Sequence, residues 1–156
     1  MKNSGQAYFP LFVDISGKKT VVVGAGKIAS RRIQTLAEFT ENITVIAPHF
    51  EDSVLDLAEK GRIQIREKRY EREDIYGADI VIAGTDDAGL NEEIHSVCKC
   101  LGILVNVISD GTKCDFHFPG IVKRDVLVAG VNAGGRDHSR AKRARQAIEK
   151  AFDDMI

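Results

Sequence analysis

A short β-branched run that leads straight into a glycine-rich turn constrains this chain more than any other feature. Residues 20–23 read Thr-Val-Val-Val, which is typical of a strand buried on both faces of a parallel sheet. Residues 24–29, Gly-Ala-Gly-Lys-Ile-Ala, follow directly. Across residues 28–39 the apolar positions recur at helical spacing, which predicts a helix packed back on the sheet. The order strand, glycine turn and helix predicts the start of a βαβ unit.

The turn matches the G-x-G-x-x-G/A pattern of dinucleotide-binding proteins. The first glycine permits a tight turn, the second lets backbone approach a pyrophosphate, and the third small residue lets the helix pack closely on the strand. The N–H groups and dipole at the start of that helix favour an anion. The predicted cofactor-binding residues are Gly24, Gly26, Lys27, Ile28 and Ala29. An ordinary strand-to-helix turn is the alternative interpretation.

Strand and helix patterns alternate beyond this turn. Strands are predicted at residues 42–47, 62–67, 79–84 and 103–108, and helices at residues 53–60 and 89–102. Residues 62–67 alternate with period two, as expected of an edge or half-exposed strand. The alternation predicts an α/β fold with a Rossmann-type doubly wound parallel sheet.

The pattern changes after Ser109. Residues 116–122 and 125–131 are predicted to be strands joined by a turn at Lys123 and Arg124, and residues 139–152 form a basic amphipathic helix. We therefore expect a nucleotide-binding domain at residues 1–112 and a small β-plus-helix appendage at residues 113–156. Because an isolated two-stranded ribbon is marginal in water, the appendage is expected to pack on a second copy in a homodimer.

Composition excludes several classes of protein. The net charge of −1 gives no general reason to expect nucleic acid. The first seven residues are polar and no apolar run approaches membrane-spanning length, so we expect a cytoplasmic protein without a membrane partner. Three cysteines, Cys98, Cys100 and Cys114, are expected to be reduced thiols, buried or half-buried.

The acidic residue that binds the ribose 2′-OH in many NAD enzymes is missing from the end of the second strand. About twenty residues past the glycine turn, that strand ends in Ala47, Pro48 and His49. Backbone groups of Ala47 and Pro48, with His49 near the ribose, are the candidates for holding the adenosine end. A histidine in such a place is more often an ordinary polar loop residue, which is the alternative interpretation of His49. These residues alone leave the choice between NAD and NADP open.

Several segments resemble the precorrin-2 dehydrogenase family, which includes the N-terminal region of siroheme synthases and their dehydrogenase/ferrochelatase relatives. The resemblance covers nearly the whole chain in the same order: YFPLFV at 8–13, VVGAGKIASRR at 22–32, VIAP at 45–48, AGTDD at 83–87 with Asn91, NV at 106–107, CDFHFP at 114–119 and GG at 134–135. It implies NAD as cofactor, with Thr85 and Asp86 beside it. It also implies a homodimer that oxidises precorrin-2 to sirohydrochlorin in siroheme biosynthesis.

Such a tetrapyrrole is a polycarboxylate, so binding it requires cations. Arg136, His138 and Arg140 begin the basic last helix and are the predicted substrate-binding residues. A solvated charged face is the alternative interpretation of this helix.

The catalytic carboxylate of the family lies at the position of Ser109 in this chain. Asp110 is the next residue and Asp115 a further possibility, so Ser109, Asp110 and Asp115 are the catalytic candidates and the choice of base stays open. A one-residue offset at a strand end turns a side chain to the other face, so Asp110 can substitute only if the loop turns.

Two further features of the sequence bear on metal insertion. The family pattern Gly-Gly-x-Ser-Pro is altered after Gly135, and the chain ends before the C-terminal helical region that many relatives carry. These features make ferrochelatase activity doubtful. We also predict no metal site, because His117 is the one candidate ligand on its strand and no second histidine stands at ligand spacing. The alternative to a dehydrogenase is a catalytically impaired protein that binds NAD or a tetrapyrrole.

Overall fold

A computed structural model describes residues 7–155. The chain forms two compact units, one comprising Val13–Phe116 and the other formed by the described residues on either side of it, 7–12 and 117–155. The first unit contains a parallel five-stranded sheet in the order β3-β2-β1-β4-β5. Its strands are β1 (Thr20–Val23), β2 (Ile43–Ala47), β3 (Gln64–Glu67), β4 (Ile80–Ala83) and β5 (Leu104–Val107). Its helices are α1 (Lys27–Leu36), α2 (Asp52–Glu59) and α3 (Ala88–Leu101).

The central strands β1 and β4 are buried on both faces, which is why they are built almost entirely from β-branched residues. Val23 at the end of β1 lies between Ile46 of β2 and Ala83 of β4. The strand β3 lies at an edge, as its alternating pattern predicted. The Rossmann-type doubly wound sheet predicted from the sequence is therefore confirmed.

The helices cover the two faces of this sheet. Residues Ile94 and Cys98 of α3 pack in an apolar cluster with Ile46 and other strand residues. The helix α3 begins at Asp87, whose side chain accepts a hydrogen bond of 3.0 Å from Leu90 N, and ends at Gly102 with a positive φ of 69°.

A buried carboxylate holds the segment that links β3 to β4. Asp74, in the 3₁₀ turn Arg72–Ile75, accepts hydrogen bonds from Glu71 N at 2.7 Å and Lys68 Nζ at 2.9 Å. Burial by itself would raise the pKa of Asp74, but the Glu71 N–H and the Lys68 ammonium outweigh it and hold the pKa below its usual value.

The first unit extends to Phe116, four residues beyond the boundary predicted from the sequence, because the loop after β5 bonds back to that strand. Asp115 N donates to Val105 O at 2.9 Å, and Val105 N donates to Asp115 Oδ2 at 3.0 Å. Val107 N donates to Cys114 Sγ at 3.2 Å. These bonds keep Cys114 and Asp115 in the sheet unit.

The second unit contains an antiparallel hairpin of β6 (Gly120–Arg124) and β7 (Leu127–Val131), followed by α4 (His138–Asp153). The predicted turn at Lys123 and Arg124 is wrong. Arg124 pairs with Leu127, so the turn consists of Asp125, with a φ of 50°, and Val126. The first strand also begins at Gly120 and not at residue 116.

The side chain of Arg124 explains why that residue stays in the strand. Its Nη2 lies 3.0 Å from Glu149 Oε1 and its Nε lies 2.7 Å from Asp153 Oδ1, so it ties β6 to α4. Of the described residues 117–155, only Val122 is buried. This unit is therefore stabilised by ion pairs and partly buried contacts more than by an apolar core.

The three cysteines are thiols. Cys98 and Cys114 are buried, whereas Cys100 is exposed, which corrects the expectation that all three are at least half-buried. The cause is the helix period, since Cys100 is two residues from Cys98 and faces away from the core. Burial raises the pKa of Cys98 to about 11. In the described part of the chain, every helix is too short or too polar to cross a membrane.

Candidate functional site

The glycine turn lies at the carboxyl end of β1, in the middle of the sheet. Gly24 N donates to Ile46 O and Gly84 N donates to Val23 O, each at 2.8 Å, so the turn is bonded to β2 and the end of β1 is bonded to the residue after β4. Gly24 has a φ of 101°, and a Cβ there would lie 2.6 Å from the carbonyl carbon of Gly84. Only glycine fits this first position of the motif, because the left-handed backbone and the close approach both exclude a side chain.

Gly26, the second glycine of the motif, faces open space, whereas Gly24 lies against the backbone of Gly84. The φ of Gly26 is −71°, and an added Cβ would have no atom within 4 Å. Gly26 caps α1 without a side-chain hydrogen bond, and the first turn of α1 carries no acidic residue. Because the first N–H groups of a helix lack intrahelical acceptors, this end presents donors and a positive dipole to an anion. A pyrophosphate fits this cradle.

The residues after Gly26 fix the position of the helix. Ser30 N donates to Gly26 O at 2.8 Å, and Ser30 Oγ donates to Ala25 O at 3.1 Å. Ala29 is buried, and an added Cβ on Gly84 would lie 3.3 Å from its Cβ, so the third small residue of the motif permits the close packing. Lys27 and Ile28 are exposed at the mouth of the turn.

The loop after β4 lies beside the glycine turn and is held by a buried side chain. Asn91 Oδ1 accepts from Thr85 Oγ1 at 2.7 Å and from Thr85 N at 3.1 Å, and Asn91 Nδ2 donates to Thr85 O at 3.0 Å. Asp86 follows on the exposed side of the loop. The sequence pattern included Asn91 but did not indicate this clamp, because the bonds join a loop to a helix six residues away.

The end of β2 is the third part of the site. Ala47 is buried and its carbonyl accepts from Lys68 N at 3.1 Å, whereas Pro48 and His49 are exposed. Ala47 ends β2, the strand next to β1, and Pro48 and His49 follow it, so the three residues share the carboxyl edge of the sheet with the glycine turn. This edge, at the point where the strand order reverses between β1 and β4, is where doubly wound sheets bind ligands.

Of the catalytic candidates, Asp110 is bound within its own loop. Its backbone N–H donates to Val107 O at 3.1 Å, so the chain turns directly after β5. Its Oδ1 accepts from Thr112 Oγ1 at 2.6 Å and from Thr112 N at 3.0 Å. The hydroxyl and then the N–H of Thr112 lower the pKa of Asp110, which is therefore a carboxylate at neutral pH. Ser109 precedes it and is exposed.

Asp115, the other candidate carboxylate, is held by both of its oxygens. Its Oδ1 lies 2.6 Å from Lys99 Nζ, and its Oδ2 accepts from Val105 N. These bonds join the loop to α3 and β5. Asp115 therefore holds the loop after β5 in place.

A cation beside the glycine turn is held between α1 and β5 by a contact that the sequence did not indicate. Arg32, on α1, donates through Nη1 to Asn106 Oδ1, and Asn106 Nδ2 donates to Phe116 O at 2.8 Å. Burial lowers the pKa of Arg32. The pattern placed Arg32 beside the glycine turn and Asn106 at the end of a strand, but only the packing of α1 on the sheet brings them together.

The substrate candidates Arg136, His138 and Arg140 belong to the second unit. All three are exposed at the start of α4. Asp137 caps this helix and accepts from Arg140 N at 2.8 Å. The predicted residues therefore form two groups, one at the carboxyl edge of the parallel sheet and one at the start of α4. Within residues 7–155, no three or more His, Cys, Asp or Glu side chains gather where they could hold a metal ion.

Comparisons with known proteins agree with this geometry. Residues 11–120 match the model of a family described as "Putative NAD(P)-binding". The chain is 35% identical over 149 residues to a siroheme synthase of Pseudoalteromonas atlantica, covering 96% of this chain and 32% of that protein. It is 38% identical over 143 residues to a multifunctional siroheme biosynthesis protein of Ruminiclostridium josui, covering 91% of this chain and 28% of that protein.

A solved structure has the same fold. The precorrin-2 dehydrogenase SirC superposes with a TM-score of 0.78 at 22% identity, covering 92% of this chain and 70% of that one. The chain spans about a third of the length of the curated relatives it matches. The resemblance found in the sequence is confirmed.

Proposed function

This chain belongs to the NAD(P)-binding family, and we propose that it is an NAD-dependent dehydrogenase that oxidises precorrin-2 to sirohydrochlorin in siroheme biosynthesis. The likeness to siroheme synthases supports the pathway and the substrate class. The observation that carries the proposal is the open cradle of Gly24, Gly26 and the uncapped start of α1, which suits a dinucleotide pyrophosphate.

The residues at the carboxyl ends of β1, β2 and β4 are each proposed to bind a different part of the dinucleotide. The first N–H groups of α1, with Lys27 and Ile28, are proposed to hold the pyrophosphate. Thr85 and Asp86 face the nicotinamide half, and the adenosine half lies over Ala47, Pro48 and His49. The bound nicotinamide supplies a hydride acceptor.

Asp110 is the proposed base for the proton that leaves with the hydride. It is ionised at neutral pH, its side chain is 38% exposed, and its Oδ2 lies 3.8 Å from Lys113 Nζ. Ser109, exposed beside it, is the second group proposed to face the substrate. Asp115 is the weaker candidate because Lys99 and Val105 N occupy both of its oxygens.

The start of α4 is proposed to bind the substrate carboxylates. Arg136, His138 and Arg140 are exposed there, and a cluster of cations suits a polycarboxylate. We also propose that the protein is a homodimer, since Val126 and Leu127 of the hairpin are exposed and a two-stranded sheet is marginal alone.

A second candidate is a protein that binds the dinucleotide or the tetrapyrrole without turnover. The observation in its favour is that both carboxylates near β5 already have partners, Asp110 within its loop and Asp115 with Lys99. The two candidate functions predict the same ligand binding and differ only in whether the bound precorrin-2 is oxidised.

The test is NADH absorbance in a mixture of the purified chain, NAD and precorrin-2. We expect NADH and sirohydrochlorin in equal amounts. Asp110→Asn, whose amide oxygen still accepts from Thr112, is expected to lower kcat by about 10²-fold or more, as for loss of a general base. Glu73→Gln, an exposed change on a different loop, is the matched control and should leave kcat unchanged. Binding without NADH formation would instead support the second candidate, and full turnover by Asp110→Asn would exclude Asp110 as the base.

A further inference from the structure

The carboxylate missing from the end of β2 has a counterpart on the next strand. In the parallel pairing of β2 with β3, Ala47 lies in register with Glu67. Neighbouring strands are about 4.8 Å apart, so the Glu67 carboxylate is within a side chain's reach of the end of β2. We propose that Glu67 binds the adenosine ribose and selects NAD over NADP. This inference rests on the proposed function and names the determinant of its cofactor specificity.

The face of the sheet supports this assignment. Ile46 belongs to the apolar cluster on the α3 side, so Ala47, one residue on, points to the opposite face. Residues paired in register share a face, which places Glu67 on the same side as Ala47. The start of α1 is also on this side, because an added Cβ on Gly84 would contact Ala29. Glu67 and the pyrophosphate cradle therefore share one face and one edge of the sheet.

The cations next to Glu67 in sequence are directed away from it. Arg66 Nη1 lies 3.8 Å from Asp74 Oδ1, and Lys68 Nζ lies 2.9 Å from the same atom, on the opposite face. Lys68 N also donates to Ala47 O, so the backbone on the carboxyl side of Glu67 is fixed to β2. The negative charge of Glu67 is thus not cancelled by its sequence neighbours.

The side chain of Glu67 is itself available. It is exposed, and no ion pair or hydrogen bond joins it to another residue in the described part of the chain. A carboxylate at this position accepts a hydrogen bond from a ribose hydroxyl, as the acidic residue at the end of β2 does in many NAD enzymes. It repels the 2′-phosphate of NADP, because like charges at close range disfavour each other.

The experiment measures the dissociation constants of NADH and NADPH by nucleotide fluorescence, which needs no tetrapyrrole and no turnover. We expect the unmodified chain to bind NADH more tightly than NADPH. Glu67→Gln should shrink this preference about tenfold, the effect of removing one close charge, chiefly by tightening NADPH binding. Two exposed carboxylates serve as matched controls: Glu51→Gln, beside the same edge, and Glu73→Gln, on another loop. Both controls should leave the preference within about twofold.

The outcomes are distinguishable. A preference that survives Glu67→Gln, or that is lost in Glu51→Gln instead, overturns the assignment to Glu67 while leaving the dehydrogenase proposal intact. Failure of the unmodified chain to bind either nucleotide overturns the proposed function and this inference together. Circular dichroism of each variant verifies that the exposed substitutions leave the fold unchanged.

Discussion

The two compact units of this chain are stabilised in different ways. In Val13–Phe116 the strands β1 and β4 are buried on both faces. In the second unit, by contrast, only Val122 is buried among residues 117–155, and Arg124 joins Glu149 and Asp153 across its surface. The difference teaches that the glycine turn follows a strand of a buried apolar core, whereas the hairpin and α4 are built around a single buried residue among 117–155.

The starts of α1 and α4 show the same contrast on a smaller scale. Both helices follow glycines, but Asp137 accepts from Arg140 N at the start of α4, while Gly26 offers no side chain to α1. In α4 the capping carboxylate already accepts a hydrogen bond from one of the first backbone N–H groups. In α1 the corresponding N–H group has no side-chain acceptor and can donate to a ligand. The glycine pattern alone does not distinguish the two cases.

The largest expected effect comes from truncating one isoleucine in each unit. Ile82→Ala, in fully buried β4, should lower the free energy of unfolding by about 2–5 kcal/mol. Ile121→Ala, in half-buried β6, should cost less than about 1.5 kcal/mol because its surroundings are partly solvent. Urea denaturation followed by circular dichroism measures both. Equal losses would break the contrast between the units, and a loss at Ile121 that grows with protein concentration would locate its burial in a second copy.

The next largest effect is expected in how the free energy of unfolding of the first unit falls at acid pH. The pKa of Asp74 is lower in the folded protein than in the unfolded chain, where an aspartate has a pKa of about 4. Its charged form therefore contributes fully to the free energy of unfolding above about pH 4, and this contribution is lost as the pH falls through the lower pKa of the folded state. Asp74→Asn should cost about 1–3 kcal/mol at pH 7, through loss of the charged partner of Lys68. It should also flatten the acid side of the stability curve. An unchanged acid slope in this variant would contradict the role of Asp74.

The smallest change in stability is expected at the two helix starts. Asp137→Ala removes a side-chain cap and should cost about 1 kcal/mol without altering NADH affinity. Gly26→Ala meets no atom within 4 Å, so stability should change by less than about 0.5 kcal/mol. Its NADH dissociation constant should nevertheless rise about tenfold or more, because the methyl group occupies the approach to the α1 N–H groups. Unaltered affinity in Gly26→Ala would show that the anion binds elsewhere.

The parallel sheet was predictable because its signals are local. The β-branched run at residues 20–23 and the turn containing Gly24 and Gly26 each indicate one element without reference to the rest of the chain. The hairpin turn was misplaced for the opposite reason. Arg124 stays in β6 through contacts with Glu149 and Asp153 of α4, which lie 25 and 29 residues further along the chain.

The candidate site was predictable in its residue types but not in their partners. The sequence placed Asp110 and Asp115 near one another, but the bonds to Thr112 and Lys99 depend on how the loop after β5 turns. Glu67 belonged to an apparently ordinary edge strand, and only the register with Ala47 makes it a candidate ligand. The partners of the two aspartates and the register of Glu67 both depend on how separate segments pack together, which a local stretch of sequence does not show.

The contact between Gly24 and Gly84 has a genetic consequence. A methyl group on Gly24 would lie 2.6 Å from the backbone carbonyl carbon of Gly84, and that neighbour is already the smallest residue. A second-site suppressor of Gly24→Ala therefore cannot arise by shortening the side chain opposite it. Reversion would have to restore glycine itself or move β1 away from β4, so a selection for revertants of this variant should return almost exclusively the original codon family.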